Sequence, residues 1–186
     1  MPAMKTQVLF IQGASEGAYN ADAPLAESLR QSLGPDYDVR YPALPNENDP
    51  DYGTWKSRIL AELKDLGDGA IVVGHSIGAS VFIKLLTEER PAIAGAFLVA
   101  TPFWHDDDFW HWDEARLPTD AAARIPGSIP VFFYRGDDDT AIPASHLAMY
   151  ARAFPRATIR RLPGRDHQLN NDLSAVALDI KSTAVS

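Results

Sequence analysis

The 186-residue sequence contains no cysteine. That one absence excludes disulfides, thiolate metal sites and a thiol nucleophile. No stretch approaches the roughly 18 consecutive apolar residues of a membrane-spanning helix. Positive charge is scarce: 17 Lys and Arg stand against 25 Asp and Glu, for a formal net charge of −8. A chain this acidic lacks the electrostatic attraction that dominates nucleic-acid binding, and it repels anionic membrane surfaces. Neither nucleic acid nor membrane is therefore expected as a partner; a neutral, partly apolar small molecule is. The start, Met1-Pro2-Ala3-Met4-Lys5-Thr6, does not read as a signal peptide, because the apolar run Val8–Ile11 is too short for its hydrophobic region. A cytoplasmic location is the expectation.

Hydrophobic residues make up 46% of the chain, enough for one sizeable core. No repeat, low-complexity tract or linker divides it, so a single domain over residues 1–186 is expected. Six short runs have strand character: Gln7–Ile11, Tyr37–Tyr41, Ala70–Val73, Ala96–Ala100, Val131–Tyr134 and Thr158–Leu162. The third, fourth and fifth are almost continuously apolar, as parallel strands buried on both faces are. Helical periodicity lies between them. Asp22–Leu33 spaces Leu25, Leu29 and Leu33 by four; Thr54–Leu66 puts Ile59, Leu60, Leu63 and Leu66 on one face; Ile77–Glu88 carries Ile77, Val81 and Leu85. Ala144–Ala153 and Leu173–Ile180 are shorter candidates. Alternating strands and helices predict an α/β fold, a mostly parallel sheet with helices on both faces. Pro42–Asp51 lacks periodicity and reads as a surface loop. Thr101–Pro118 mixes aromatics with acids and is too long for a tight turn, so it reads as a functional loop or small lid.

Gly74-His75-Ser76-Ile77-Gly78 fits G-x-S-x-G, and its context matters more than its letters. An apolar strand precedes it and a helix follows, which is the setting a nucleophile elbow needs. The turn must be sharp for the Ser76 hydroxyl to project from the sheet, and glycines at 74 and 78 let strand and helix crowd together. The helix start then offers unpaired N–H groups, with that of Ile77 aimed at a developing oxyanion. The second donor should come from the loop after the first strand, where Gly13 permits close approach and Ala14 supplies the N–H.

A serine needs a general base, and the base needs an orienting partner. Asp137, Asp138 and Asp139 all follow the strand Val131–Tyr134, and His167 follows the last strand. Residues just past parallel strands collect at one carboxyl edge. His167 is thus placed to take the Ser76 proton, with one of the three aspartates behind it. His75 is expected to orient neighbouring loops or touch substrate, and His146 to be structural. Phe103, Trp104 and Trp110 are candidate walls of an apolar pocket, although the aromatics of this loop equally suit a small satellite core. His105, Asp106–Asp108, His111 and Asp113 match no metal-binding spacing, so neither metal nor cofactor is expected.

Taken together, the Gly13 loop, the Ser76 elbow, Gly136-x-x-Asp139-x-x-Ile142-Pro143 and Gly164-x-x-His167 resemble the α/β-hydrolase superfamily, from Val8 to about Ile180. Members commonly carry the acid in G-x-x-D-x-x-[VI]-P, so the resemblance implies Asp139, with Asp137 and Asp138 as fallbacks. Leu44-Pro45-Asn46, then Pro50, Tyr52 and Trp55 ahead of an amphipathic helix, is similar to the small serine hydrolases of the retinoblastoma-binding protein nine and YdeN type. This implies six strands in the order 2-1-3-4-5-6, without the first two strands or the large lid of bigger relatives. It also implies a carboxylesterase-like serine hydrolase acting through an acyl-enzyme. A weakly catalytic binding protein, a lyase or an acyltransferase on the same framework are the alternatives. One departure stands out: many relatives have His-Gly after the first strand, and here it is Gln12-Gly13.

Overall fold

The three apolar runs become the middle of one sheet, where both faces are covered. The computed structural model describes residues 3–184. Its elements alternate as β1 (Thr6–Ile11), α1 (Ala18–Leu33), β2 (Tyr37–Arg40), α2 (Tyr52–Leu66), β3 (Ala70–His75), α3 (Ile77–Glu89) and β4 (Ile93–Val99). They continue as α4 (Ala121–Arg124), β5 (Val131–Gly136), α5 (Ala144–Ala153), β6 (Thr158–Leu162) and α6 (Ser174–Ala184). The six strands lie in the order β2-β1-β3-β4-β5-β6 and every neighbouring pair is parallel.

Side chains alternate between the two faces, as the pleat requires. Leu9, Ile11, Val72, Leu98 and Phe133 meet Trp55 and Ile59 of α2, Phe82 and Leu86 of α3 and Tyr150 of α5. Val8, Phe10, Ile71, Val73 and Val99 meet Leu25 and Leu29 of α1 and Val176 and Ile180 of α6. Full burial of each such side chain stabilises the fold by roughly 1.5–3 kcal/mol. No helix among the described residues is long and apolar enough to cross a membrane.

The fold class and strand order are those expected; the element ends differ, each for a physical reason. β3 continues through Gly74 and His75, because both pair with Leu98 and Val99 of β4. α1 begins at Ala18 rather than at Asp22 and carries Pro24 inside it. Its first turn is held by Glu47, whose carboxylate accepts the N–H groups of Gly17 and Tyr19, both at 2.8 Å. A cap supplied from 28 to 30 residues away leaves no local signal. Similarly, α6 runs on to Ala184, and the short α4 has no clear periodicity to announce it.

Strand order reverses between β1 and β3, since the chain leaves β1 towards β2 and then returns to the other side. Ligand sites of open parallel sheets form at such a switch point. Here the following helix is pressed hard onto the first strand. A Cβ on Gly78 would stand 2.0 Å from the Gln12 carbonyl oxygen and 2.7 Å from Ile11 Cγ2. The obstacle is backbone and cannot rotate away. Gly78→Ala is therefore expected to cost about 2 kcal/mol or more, read as a lowered urea midpoint. A wild-type midpoint would mean that α3 and β1 are not in this contact.

Candidate active site

Ser76 stands between β3 and α3 with φ 53° and ψ −125°, a conformation that a residue with a Cβ rarely adopts. Such strain costs on the order of 1–3 kcal/mol and persists only where the surroundings impose it. They do so here. The Ser76 N–H donates to the Val99 carbonyl at 2.8 Å, and its carbonyl accepts from the Ser80 N–H at 3.1 Å. A Cβ on Gly74 would lie 2.9 Å from Ala79 Cα. Gly13 approaches from the other side, where a Cβ would be 3.3 Å from that of Ser76. Ile77 opens α3, so its N–H precedes the helix's own hydrogen bonds. The Ala14 N–H finds no acceptor among the described residues. The Ile77 N–H thus follows the serine directly, and the Ala14 N–H belongs to the residue after Gly13.

The loops after β5 and β6 cross in close contact. A Cβ on Gly136 would sit 2.2 Å from the Arg165 carbonyl oxygen, and the Asp138 N–H donates to that same oxygen at 2.9 Å. This crossing sorts the three aspartates. Asp137 pairs with Arg161 at 3.0 Å and Asp138 is exposed. The Asp139 carboxylate is fully buried: Oδ1 accepts from the Ala141 and Ile142 N–H groups at 2.8 and 2.9 Å, and Oδ2 lies 2.9 Å from His167 Nδ1. His167 Nε2 lies 3.2 Å from Ser76 Oγ. Arg135 supports the acid loop from below, donating to the carbonyls of Gly136, Asp139 and Ile142 at 3.0, 2.9 and 3.1 Å.

Burial is the largest influence on the Asp139 carboxyl and favours its neutral form. The hydrogen bonds from His167, Ile142 and Ala141, with the charge of His167, outweigh it and hold the pKa below the ordinary 3.8. An ionised Asp139 can only accept, so Nδ1 of His167 carries a proton; in the neutral ring Nε2 then presents its lone pair to the Ser76 hydroxyl. A chain of hydrogen bonds then runs from serine to histidine to carboxylate.

The loop after β1 is held by side chains that sequence reasoning passed over. The Gly13 N–H donates to Asp22 Oδ2 at 2.7 Å. Gln12 is wholly buried: its amide nitrogen donates to the Gly13 carbonyl at 3.1 Å and to Glu47 Oε2 at 3.0 Å, and its oxygen accepts from the Leu44 N–H at 2.7 Å. The departure from His-Gly is thus accommodated by an amide that braces the loop. Glu47 also accepts the Ser15 N–H through its carbonyl at 2.7 Å, where Ser15 takes φ 118°. Asp22 and Glu47 belong to no motif; only their contacts with the Gly13 loop reveal them.

The remaining predicted residues are dispersed. His75 is buried with both ring nitrogens engaged, 2.9 Å from Asp22 and 3.0 Å from the His167 carbonyl, so it braces backbone rather than facing a substrate. His146 is buried, accepts the Phe103 N–H at 2.8 Å and is pushed down to about 4, chiefly by burial. Phe103 stacks edge-on to Tyr150, and Trp110 packs on His146. Trp104 meets Trp112 and donates to Ser80 Oγ at 3.0 Å, one helical turn past Ser76. All three aromatics are half-buried; Phe103 and Trp104 pack on the main core, and Trp104 alone of the three bonds to α3. Among the described residues no three His, Asp or Glu side chains converge as a metal site.

A parallel sheet in this order, with a strained serine at its switch point, defines the α/β-hydrolase fold. The chain belongs to the serine hydrolase family, whose model matches residues 27–171. No curated protein matches its sequence. Among solved structures it is similar to a 2-hydroxy-6-oxo-6-phenylhexa-2,4-dienoate hydrolase from Rhodococcus sp. strain RHA1, with TM-score 0.76 and 15% identity over 98% of this chain and 91% of that one. Est1E from Butyrivibrio proteoclasticus aligns with TM-score 0.71 and 16% identity over 99% and 88% of the two chains. A monoacylglycerol lipase from Paleococcus ferrophilus aligns with TM-score 0.69 and 14% identity over 97% of each. At these identities the likeness is one of fold.

A carboxyl held below its ordinary value adds stability above that value, and the contribution fades as pH falls through the folded value. Asp139→Asn is accordingly expected to lower the urea midpoint at pH 7 and to approach the wild type below about pH 4. Equal midpoints at pH 7 would contradict the buried, hydrogen-bonded carboxylate.

Proposed function

We propose that the protein hydrolyses a small ester, thioester or activated amide through an acyl-enzyme on Ser76, with His167 and Asp139 completing a catalytic triad. The observation that carries this reading is the unbroken hydrogen-bond chain of 3.2 and 2.9 Å behind a serine held at φ 53°. Family membership supports hydrolysis, and the geometry at Ser76 supports acyl transfer as its mode.

Ser76 Oγ bonds to the substrate carbonyl carbon while its proton passes to His167 Nε2. The carbonyl electrons move onto oxygen, and the N–H groups of Ile77 and Ala14 stabilise that charge. His167, now cationic, is held by ionised Asp139. The tetrahedral intermediate collapses, the bond to the leaving group breaks, and His167 returns the proton to the departing alcohol, thiol or amine. A water then repeats the sequence: His167 takes its proton, the acyl carbon is attacked, and the acid leaves as Ser76 recovers its hydrogen. The net charge of −8 favours neutral or weakly polar substrates. The half-buried rings of Phe103, Trp104 and Trp110 offer an apolar flank for the acyl or leaving group.

Wild-type protein should be labelled by a fluorophosphonate probe and should turn over short-chain aryl esters or thioesters. Ser76→Ala should abolish labelling, and both Ser76→Ala and His167→Ala should lower kcat by at least about 1,000-fold. Labelling that persists in Ser76→Ala moves the nucleophile elsewhere. A wild type that neither labels nor turns over esters or thioesters leaves a binding protein on this framework. Product analysis with a competing alcohol separates hydrolysis from acyl transfer to that acceptor.

A further inference from the structure

We propose that Asp22 and His75 are positioning residues: a second, buried carboxylate–histidine pair that ties the oxyanion loop to the backbone of the loop carrying His167. The kinetic half of this inference rests on the hydrolase reading above; the structural half does not.

Asp22 lies on α1 with its side chain only 3% exposed. Its Oδ2 accepts from the Gly13 N–H at 2.7 Å and faces His75 Nδ1 at 2.9 Å. Its Oδ1 accepts from Gln168 Nε2 at 3.0 Å, and that nitrogen also donates to the Ala21 carbonyl at 3.2 Å. The far nitrogen of His75 meets the His167 carbonyl at 3.0 Å. A carbonyl only accepts, so Nε2 of His75 carries a proton. The carboxylate already takes N–H donors from Gly13 and Gln168, so it accepts from Nδ1 as well. Both nitrogens of His75 therefore donate, and the pair is an imidazolium on a carboxylate. Although burial opposes both charges, the mutual hydrogen bond and attraction hold Asp22 below its ordinary pKa and His75 above its own.

The pair sits where a small shift matters. A Cβ on Gly13 would lie 3.4 Å from His75 Nδ1 and 3.5 Å from Asp22 Oδ2. Ala14, the expected oxyanion donor, is the next residue. At the other end, the bond to the His167 carbonyl holds the backbone from which the base projects, and the two imidazole centroids are 4.9 Å apart. Neither residue touches the reacting atoms. Both sides of the reaction centre nonetheless hang on one carboxylate, and misplacing them by about 1 Å can cost on the order of 100-fold in rate. A pair retained only for packing could be replaced by neutral groups of like shape without kinetic consequence.

The test uses the full chain as Asp22→Asn, which keeps the shape and removes the charge. A companion His75→Gln keeps a donor near Nε2 and loses the bond to Asp22. The amide of Gly13 and those of residues 164–169 should exchange with deuterium about tenfold faster or more, while Val72 and Leu98 in the sheet stay protected. The kcat for an aryl ester and the rate of Ser76 phosphonylation should each fall about 10- to 100-fold with KM within about twofold, and the double variant should be no worse than the poorer single. Wild-type exchange in both segments overturns the inference. So does an unchanged kcat in an active enzyme, a loss confined to KM, or fully additive losses. Should Asp22→Asn fail to fold, His75→Gln and Gln168→Ala carry the same measurements. If the wild type proves inert towards esters and the probe, the hydrolase reading falls, and exchange at the two segments alone decides the positioning role.

Discussion

At Gly78 the helix after the serine turn lies so close to β1 that no side chain fits between them. The same close approach recurs at Gly13 beside Ser76, at Gly74 against Ala79 and at Gly136 against Arg165. Four segments distant along the chain thereby meet closely at one edge of the sheet. That contact keeps Ser76 in its strained conformation, brings the Gly13 loop beside it and crosses the acid and histidine loops. Without it, the cost of the serine's backbone would be relieved by relaxation of the turn, and its hydroxyl would no longer project towards His167.

Two carboxylate–histidine pairs stand side by side at this edge, and their surroundings divide their tasks. The Asp139–His167 pair keeps one imidazole nitrogen free for the serine, and the histidine side chain is 26% exposed. The Asp22–His75 pair has no free nitrogen and is buried throughout. Similar chemistry therefore supports opposite behaviour. A histidine whose second nitrogen meets a hydroxyl has a partner that can both give and take a proton; one whose second nitrogen meets a carbonyl can only donate to it.

Much of this was legible in the residues. Apolar runs without alternation gave away the central strands, and G-x-S-x-G between a strand and a helix marked the elbow with both of its glycines. What stayed illegible was set by long-range contacts. Three consecutive aspartates look alike as letters; the resemblance singled out Asp139, and the crossing of two loops leaves it buried against His167 while Asp138 faces solvent. Glu47 lies in a segment that reads as plain surface loop, yet it caps α1 and braces the Gly13 loop. Asp22 reads as an ordinary polar position on an amphipathic helix. His75 reads as a residue that either orients neighbouring loops or touches substrate; the pleat of β3 turns it towards α1, where it meets Asp22 and the His167 carbonyl.

The sequence by itself determined the sheet, the helices that cover it and the points where backbone must meet backbone, because hydrophobic period and glycine placement act over a few residues. Only the tertiary structure decided which carboxylate backs which histidine. Ionisation and hydrogen-bond partnership depend on burial and on atoms within about 3 Å. In this chain those atoms come from residues up to 146 positions apart.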